Sequence, residues 1–181
     1  RLRSQAVGIH QALEFKGLPV STFDSRTRPF LKVQDGCDAF CTYCIVPYAR
    51  GRSRSMPMAA VLESLQRYQD AGYREVVLTG IHLGNYGQDL SPTADLLTLL
   101  ERIAAGSFQG RIRLSSIEPL ELNNDIIQLV GSTETFCRHF HVPLQSGDNT
   151  ILKRMKRPYT AGLFRKQVEK IAVAIPDAAI G

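Results

Sequence analysis

Three of the four cysteines fall within one short run, Cys37-Asp38-Ala39-Phe40-Cys41-Thr42-Tyr43-Cys44, while the fourth, Cys137, lies far along the chain. Disulfide frameworks of secreted proteins are not spaced this way, and in a reducing compartment such a cluster of thiols holds a metal. Thiolates bind iron–sulfur clusters or zinc, and the number available decides which coordination positions stay open. Three thiolates on a four-iron cluster leave one iron without a protein ligand, which makes it a place for reaction rather than a staple. The zinc alternative needs Cys137 or a histidine as fourth ligand. The absence of a second Cys-x-x-Cys pair weighs against it.

The elements that must position these thiols can be read from periodicity. Phe30 to Gln34, Glu75 to Thr79, Arg111 to Ser115 and Phe140 to Leu144 read as strands, the last interrupted by Pro143. Between them, Val61, Leu62, Leu65 and Tyr68 repeat with helical spacing ahead of Gly72. Leu96, Leu97, Leu100 and Ile103 form the stripe of a helix over Asp95 to Ala104, and shorter or later helices are expected at Asn124 to Val130 and Ala161 to Ala174. Strand and helix alternate four times with crossovers long enough for parallel pairing, so the expected fold class is parallel α/β.

In such folds the loops after the C-terminal strand ends build the active site, whether the sheet is open or closed. The unusual residues sit there: the cysteine loop, Thr79-Gly80-Ile81-His82, Ser115-Ser116-Ile117-Glu118-Pro119, and Gln145-Ser146-Gly147. Two basic runs lie beside the same rim, Arg50, Arg52 and Arg54 after the cysteines, and Lys153, Arg154, Lys156 and Arg157 after the fourth strand's loop. Contact with an RNA backbone is expected of these runs from their position more than from their charge. The aromatics show no evident platform for stacking single-stranded bases. His82, His139 and His141 read as packed, hydrogen-bonded side chains rather than ligands, and Cys137 as a small buried hydrophobe.

The flanking residues narrow the reading. Gln34-Asp35-Gly36-Cys37, the run from Cys44 to Gly51, the run from Leu78 to Gly84 with Tyr86-Gly87, Arg113 to Pro119, His141 to Gly147 and Leu152 to Arg157 together resemble the radical S-adenosylmethionine methylthiotransferases. The Thr-Gly-Ile-His loop is similar to the branch acting on N6-threonylcarbamoyladenosine in tRNA. The resemblance covers about residues 26 to 181 and implies a partial TIM-like (β/α) barrel, stopping near its fifth strand. It implies a [4Fe–4S] cluster on Cys37, Cys41 and Cys44 whose open iron chelates S-adenosylmethionine, with Thr79, Gly80, Ser116, Glu118 and Gln145 contacting that cofactor. No individual catalytic side chain is named by it.

The resemblance further implies a tRNA substrate modified at carbon 2 of the adenosine, and an electron donor such as a flavodoxin or ferredoxin. It also implies a second cluster on three more cysteines in an N-terminal domain, and a small C-terminal β-barrel for RNA, neither of which this chain contains. An isopentenyl-type adenosine or a ribosomal protein side chain is the alternative target. A non-catalytic metal module that binds nucleic acid is the alternative of another class.

The chain of 181 residues is 44% hydrophobic and 22% charged with a net charge of +5, which suits one globular domain. Residues 1–25 read as a short helix and linker from something upstream, and 26–181 as the core domain. The chain begins at Arg1 rather than a methionine and stops at Gly181 just as Ala178-Ala179-Ile180 opens a new element, so it is read as a piece of a longer protein. No apolar run is long enough to span a membrane and no secretory signal is evident, so a cytoplasmic location is expected.

Overall fold

The computed structural model describes residues 8–9, 12, 14–17 and 27–181. The expected short helix and linker over residues 1–25 falls largely outside the described residues. The core is a sheet of β1 (Phe30–Asp35), β2 (Arg54–Ser55), β3 (Glu75–Gly80) and β4 (Arg111–Leu114) in the order β2-β1-β3-β4, with β1, β3 and β4 parallel. A second pair, β5 (His139–Phe140) and β6 (Ala179–Ile180), is also parallel. Isolated parallel bridges at Ile112–Phe136 and Ser116–His141 join β5 to β4, so the parallel order continues past the regular ladders.

Alternation along the strands divides them into two faces. Leu31 and Val33 of β1, Val76 and Leu78 of β3, and Ile112 and Leu114 of β4 are buried in one continuous apolar core. The helices α2 (Met58–Asp70), α3 (Leu96–Ala104), α4 (Asn124–Ser132) and α6 (Ala161–Ala174) contribute the other half of that core. Three of these helices start where a side chain satisfies an orphan amide: Asp95 accepts from the Thr98 N–H, Asn123 from Ile126 and Thr160 from Leu163.

Residues on the other strand face bound a concave interior. At its base Glu75 takes hydrogen bonds from Arg28, Arg111 and Arg113. Burial opposes ionisation of Glu75, but these guanidinium groups outweigh it and hold its carboxyl below the usual range. A cavity of about 550 Å³, bordered by Phe30, Val77, Arg113, Ser115, His139 and His141, opens above. Two buried polar atoms there, Ser115 Oγ and His139 Nδ1, have no hydrogen-bond partner.

The structure departs from the expected elements in three places. The segment after the cysteines contains a short helix α1 (Val46–Arg50) and a two-residue strand β2 (Arg54–Ser55) that pairs antiparallel with β1, so the sheet is mixed at that edge. The fourth expected strand keeps regular pairing only at His139–Phe140, ahead of the expected break at Pro143. A helix α5 (Asn149–Arg154) fills the loop that carries the second basic run, capped by Asp148. Among the described residues, no helix is long and apolar enough to cross a membrane.

Candidate active site

The cysteine loop grows out of the end of β1, and its exit is fixed by backbone that only glycine supplies. Gly36 has φ of 76°, and a Cβ there would lie 1.9 Å from the Arg52 carbonyl oxygen. The Cys37 N–H donates to the Gly51 carbonyl at 3.1 Å and the Cys44 N–H to that of Cys41 at 3.0 Å. The far side of the loop is tied to the end of α5: Thr42 donates through its N–H to the Met155 carbonyl and through its hydroxyl to that of Arg154.

Gln34, fully buried at the last turn of β1, links this loop to the next. Its amide nitrogen donates to the carbonyls of Asp35 and Gly36 and to the Ser53 hydroxyl, and its carbonyl accepts the His82 N–H at 2.7 Å. Gly80 is tight against it, since a Cβ there would stand 2.9 Å from Gln34 Oε1. The Thr79–His82 loop is thereby held beside the cysteines.

Two of the three sulfurs face nitrogen donors. Cys37 Sγ lies 3.5 Å from His82 Nδ1 and 3.4 Å from the Ala39 N–H, and Cys41 Sγ lies 3.4 Å from Arg157 Nη1. Burial pushes the Cys37 thiol up, but the hydrogen bonds from His82 and Ala39 outweigh it, so the thiol sits below its ordinary value. That favours the thiolate, the form that binds metal. His82 pairs through Nε2 with the Glu121 carboxylate, and Asn85 approaches its Nδ1 at 3.2 Å. Burial works against the charged ring, yet Cys37 and Glu121 raise its pKa to about 10.

A cavity of about 220 Å³ opens between these groups, bordered by Cys41, His82, Glu118, Glu121, Arg157 and Tyr159. Among the described residues, no three His, Cys, Asp or Glu side chains gather closely enough to hold a single metal ion. A multi-iron cluster instead takes one thiolate per iron, and three cysteines on one loop, two of them with nitrogen donors at their sulfurs, fit that demand.

The other expected residues divide. Glu118 faces the same cavity and accepts from Arg157 Nη2 at 2.8 Å. Thr79 and Gly80 lie half-buried at the end of β3. Ser116 belongs to the larger interior, where its hydroxyl pairs with His141 Nδ1 at 2.7 Å. Gln145 is exposed and has φ of 64°. Phe40, Gln145 and Lys156 are the three non-glycine residues with positive φ among those described, and all stand in loops around the site, where such conformations are commonly retained for function.

The basic residues also divide. Arg50, Arg52, Lys153, Arg154 and Lys156 are exposed. Arg54 is buried: its guanidinium donates to the carbonyls of Arg50, Arg52 and Ala12 and pairs with Asp35, so it builds the loop instead of reaching RNA. Arg157 is turned inward to Glu118 and Cys41. Cys137 is buried as expected, its thiol pushed up by burial and by Glu75.

Two features escape the sequence reading. His82 is packed and hydrogen-bonded as expected, but that one of its partners is a cysteine sulfur is announced only by its place in the Thr-Gly-Ile-His loop. The aromatics of the cysteine loop form an exposed surface: Phe40, Tyr43 and Tyr48 are 45%, 53% and 58% exposed, with the Phe40 and Tyr48 rings edge to face at 5.7 Å.

A parallel α/β core with a three-cysteine loop at the end of its first strand defines a class, and the radical SAM superfamily profile matches residues 31–180. The chain belongs to that superfamily. It is 42% identical over 174 residues to the threonylcarbamoyladenosine tRNA methylthiotransferase MtaB of Bacillus subtilis (strain 168), covering 95% of this chain and 38% of that protein. It is 38% identical over 161 residues to the tRNA-2-methylthio-N(6)-dimethylallyladenosine synthase of Carboxydothermus hydrogenoformans, covering 89% of this chain and 36% of that protein. The chain thus spans less than two fifths of the length of these relatives. Among solved structures, the radical S-adenosylmethionine methyltransferase TsrM of Kitasatospora setae superposes with a TM-score of 0.65 at 16% identity, over 82% of this chain and 29% of that one, a likeness of fold.

Proposed function

We propose that residues 26–181 form the radical core of a tRNA-modifying methylthiotransferase, with threonylcarbamoyladenosine as the nucleoside modified at carbon 2. The observation that carries the radical core is the cavity beside Cys41, bordered by His82 and Arg157, whose ring and guanidinium nitrogens approach the Cys37 and Cys41 sulfurs respectively. When bound by Cys37, Cys41 and Cys44, a [4Fe–4S] cluster supplies the single electron that breaks the sulfonium bond of S-adenosylmethionine. The protein's own part is placement. Gln34 locks the cysteine loop to the Thr79–His82 loop, and Thr42 locks it to α5. Of the residues expected to hold the cofactor's polar groups, Glu118 borders this cavity and Ser116 lines the larger interior, while Thr79 and Gly80 would reach the cofactor from the end of β3 and Gln145 from the loop after β5. An external reductant of the flavodoxin or ferredoxin type would deliver the electron.

The relatives' names support the threonylcarbamoyl nucleoside, and the similarity to the dimethylallyladenosine synthase keeps an isopentenyl-type nucleoside as the second reading. The test is anaerobic reconstitution of the 181-residue chain with iron and sulfide. Four irons per chain and 5′-deoxyadenosine formed with dithionite and S-adenosylmethionine are expected. One colourless zinc per chain and no deoxyadenosine would falsify the proposal. Because its cysteines beyond the loop number only one, the chain alone should yield no methylthio nucleoside from tRNA. For the full-length protein, nucleoside mass distinguishes the two substrates.

A further inference from the structure

Arg157 occupies an unusual position for a residue in a basic run. Lys156 adopts φ of 57° after α5, and this left-handed turn leaves the lysine exposed while Arg157 points inward, its side chain 6% exposed. All three guanidinium nitrogens are engaged: Nε donates to the Tyr159 hydroxyl at 3.3 Å, Nη2 to Glu118 at 2.8 Å, and Nη1 lies 3.4 Å from Cys41 Sγ. Tyr159 is fixed in turn by the carbonyls of Pro143 and Leu144, and its ring lies 5.4 Å from the guanidinium carbon. A planar fork so pinned presents a permanent positive charge to one sulfur with little freedom to leave it.

Resting on the cluster-binding role of Cys41 proposed above, we infer that Arg157 is a positioning residue for the cluster: it holds the Cys41 sulfur and raises the cluster's reduction potential. The physical reason is general. A hydrogen bond or cation at a ligating sulfur stabilises the more negative, reduced state, and protein-tuned potentials vary with hydrogen bonds to the sulfurs. Glu118 and Tyr159 aim the group, and with its side chain 6% exposed the guanidinium is turned away from the surface an RNA phosphate would meet.

The experiment measures two quantities on the anaerobically reconstituted chain: irons per chain, and the midpoint potential of the cluster by redox titration followed by electron paramagnetic resonance. Arg157→Met, which has neither charge nor donor, should keep four irons and shift the potential to more negative values. Arg157→Lys, which returns the charge, should recover part of the shift. Should the methionine variant fail to fold, Arg157→Gln, whose amide can still engage Glu118, removes the cation alone and should shift the potential in the same direction by a smaller amount. A neutral variant with four irons and the wild-type potential overturns the inference, and a loss of tRNA affinity in that variant would return Arg157 to the RNA contacts. A wild-type chain that takes up no four-iron cluster overturns the cluster assignment itself, a different result.

Discussion

At the scale of single residues, what a side chain does here depends on what reaches its polar atoms. The four cysteines have the same chemistry in isolation. Cys37 and Cys41 have nitrogen donors at their sulfurs, whereas burial and Glu75 keep Cys137 protonated. Cys41→Ala should therefore abolish the brown absorbance of the reconstituted chain, and Cys137→Ala should leave iron content within error of wild type. Equal iron loss in both variants would refute the three-ligand arrangement. Glu75 gives a second prediction. Its folded pKa lies below the ordinary value of 4.5, so its stabilisation is present above about pH 4.5 and is lost as pH falls through the folded pKa. Glu75→Gln should lose about 1.5–3 kcal/mol at neutral pH. Urea midpoints measured from neutral to acid pH should converge with those of wild type at the acid end, and parallel curves would count against the argument.

At the scale of elements, burial sorts the predictions. Leu99 of α3 is fully buried, so Leu99→Ala should cost about 2–5 kcal/mol. Val173 of α6 is 82% exposed, and Val173→Ala should stay within about 0.5 kcal/mol of wild type. Asp95→Ala, which removes an N-cap, should fall between them at about 1 kcal/mol. Urea denaturation that ranks the three differently would show that the core is misassigned. The same local signals explain what the sequence made legible. The stripe of Leu96, Leu97, Leu100 and Ile103 behind Asp95 announces α3, and the apolar runs announce β1, β3 and β4. The helices α1 and α5 are too short for a period to declare itself, and β2 exists only because β1 offers it an edge. In the site, the cysteines are legible because one loop carries them. Arg157 and Cys41 are 116 residues apart, and nothing in either local sequence announces their contact.

At the scale of the whole molecule, the net charge of +5 says less than which bases the fold leaves free. The hydrogen bonds from Thr42 to Arg154 and Met155 tie the cysteine loop to the end of α5, with Phe40 and Tyr43 exposed on that loop and Tyr48 exposed on α1. On the tRNA-modifying role proposed above, the exposed Arg52, Lys153, Arg154 and Lys156 are the bases that would meet phosphates, and the exposed rings those that would stack a base. Arg54, which the sequence groups with them, is spent on Asp35 and on loop carbonyls. Each phosphate contact to a single strand contributes about 0.7 to the salt slope of binding. The double substitution Arg52→Gln with Lys153→Gln should therefore flatten the plot of log affinity for tRNA against log salt by up to about 1.4, twice that contribution, with the unfolding midpoint unchanged. Arg54→Gln should do the opposite, lowering stability by about 1.5–3 kcal/mol because the loop carbonyls of Arg50 and Arg52 lose a charged donor, with the slope of the folded fraction unchanged. A slope that responds to Arg54→Gln and ignores the double substitution would place the RNA on another face of the molecule.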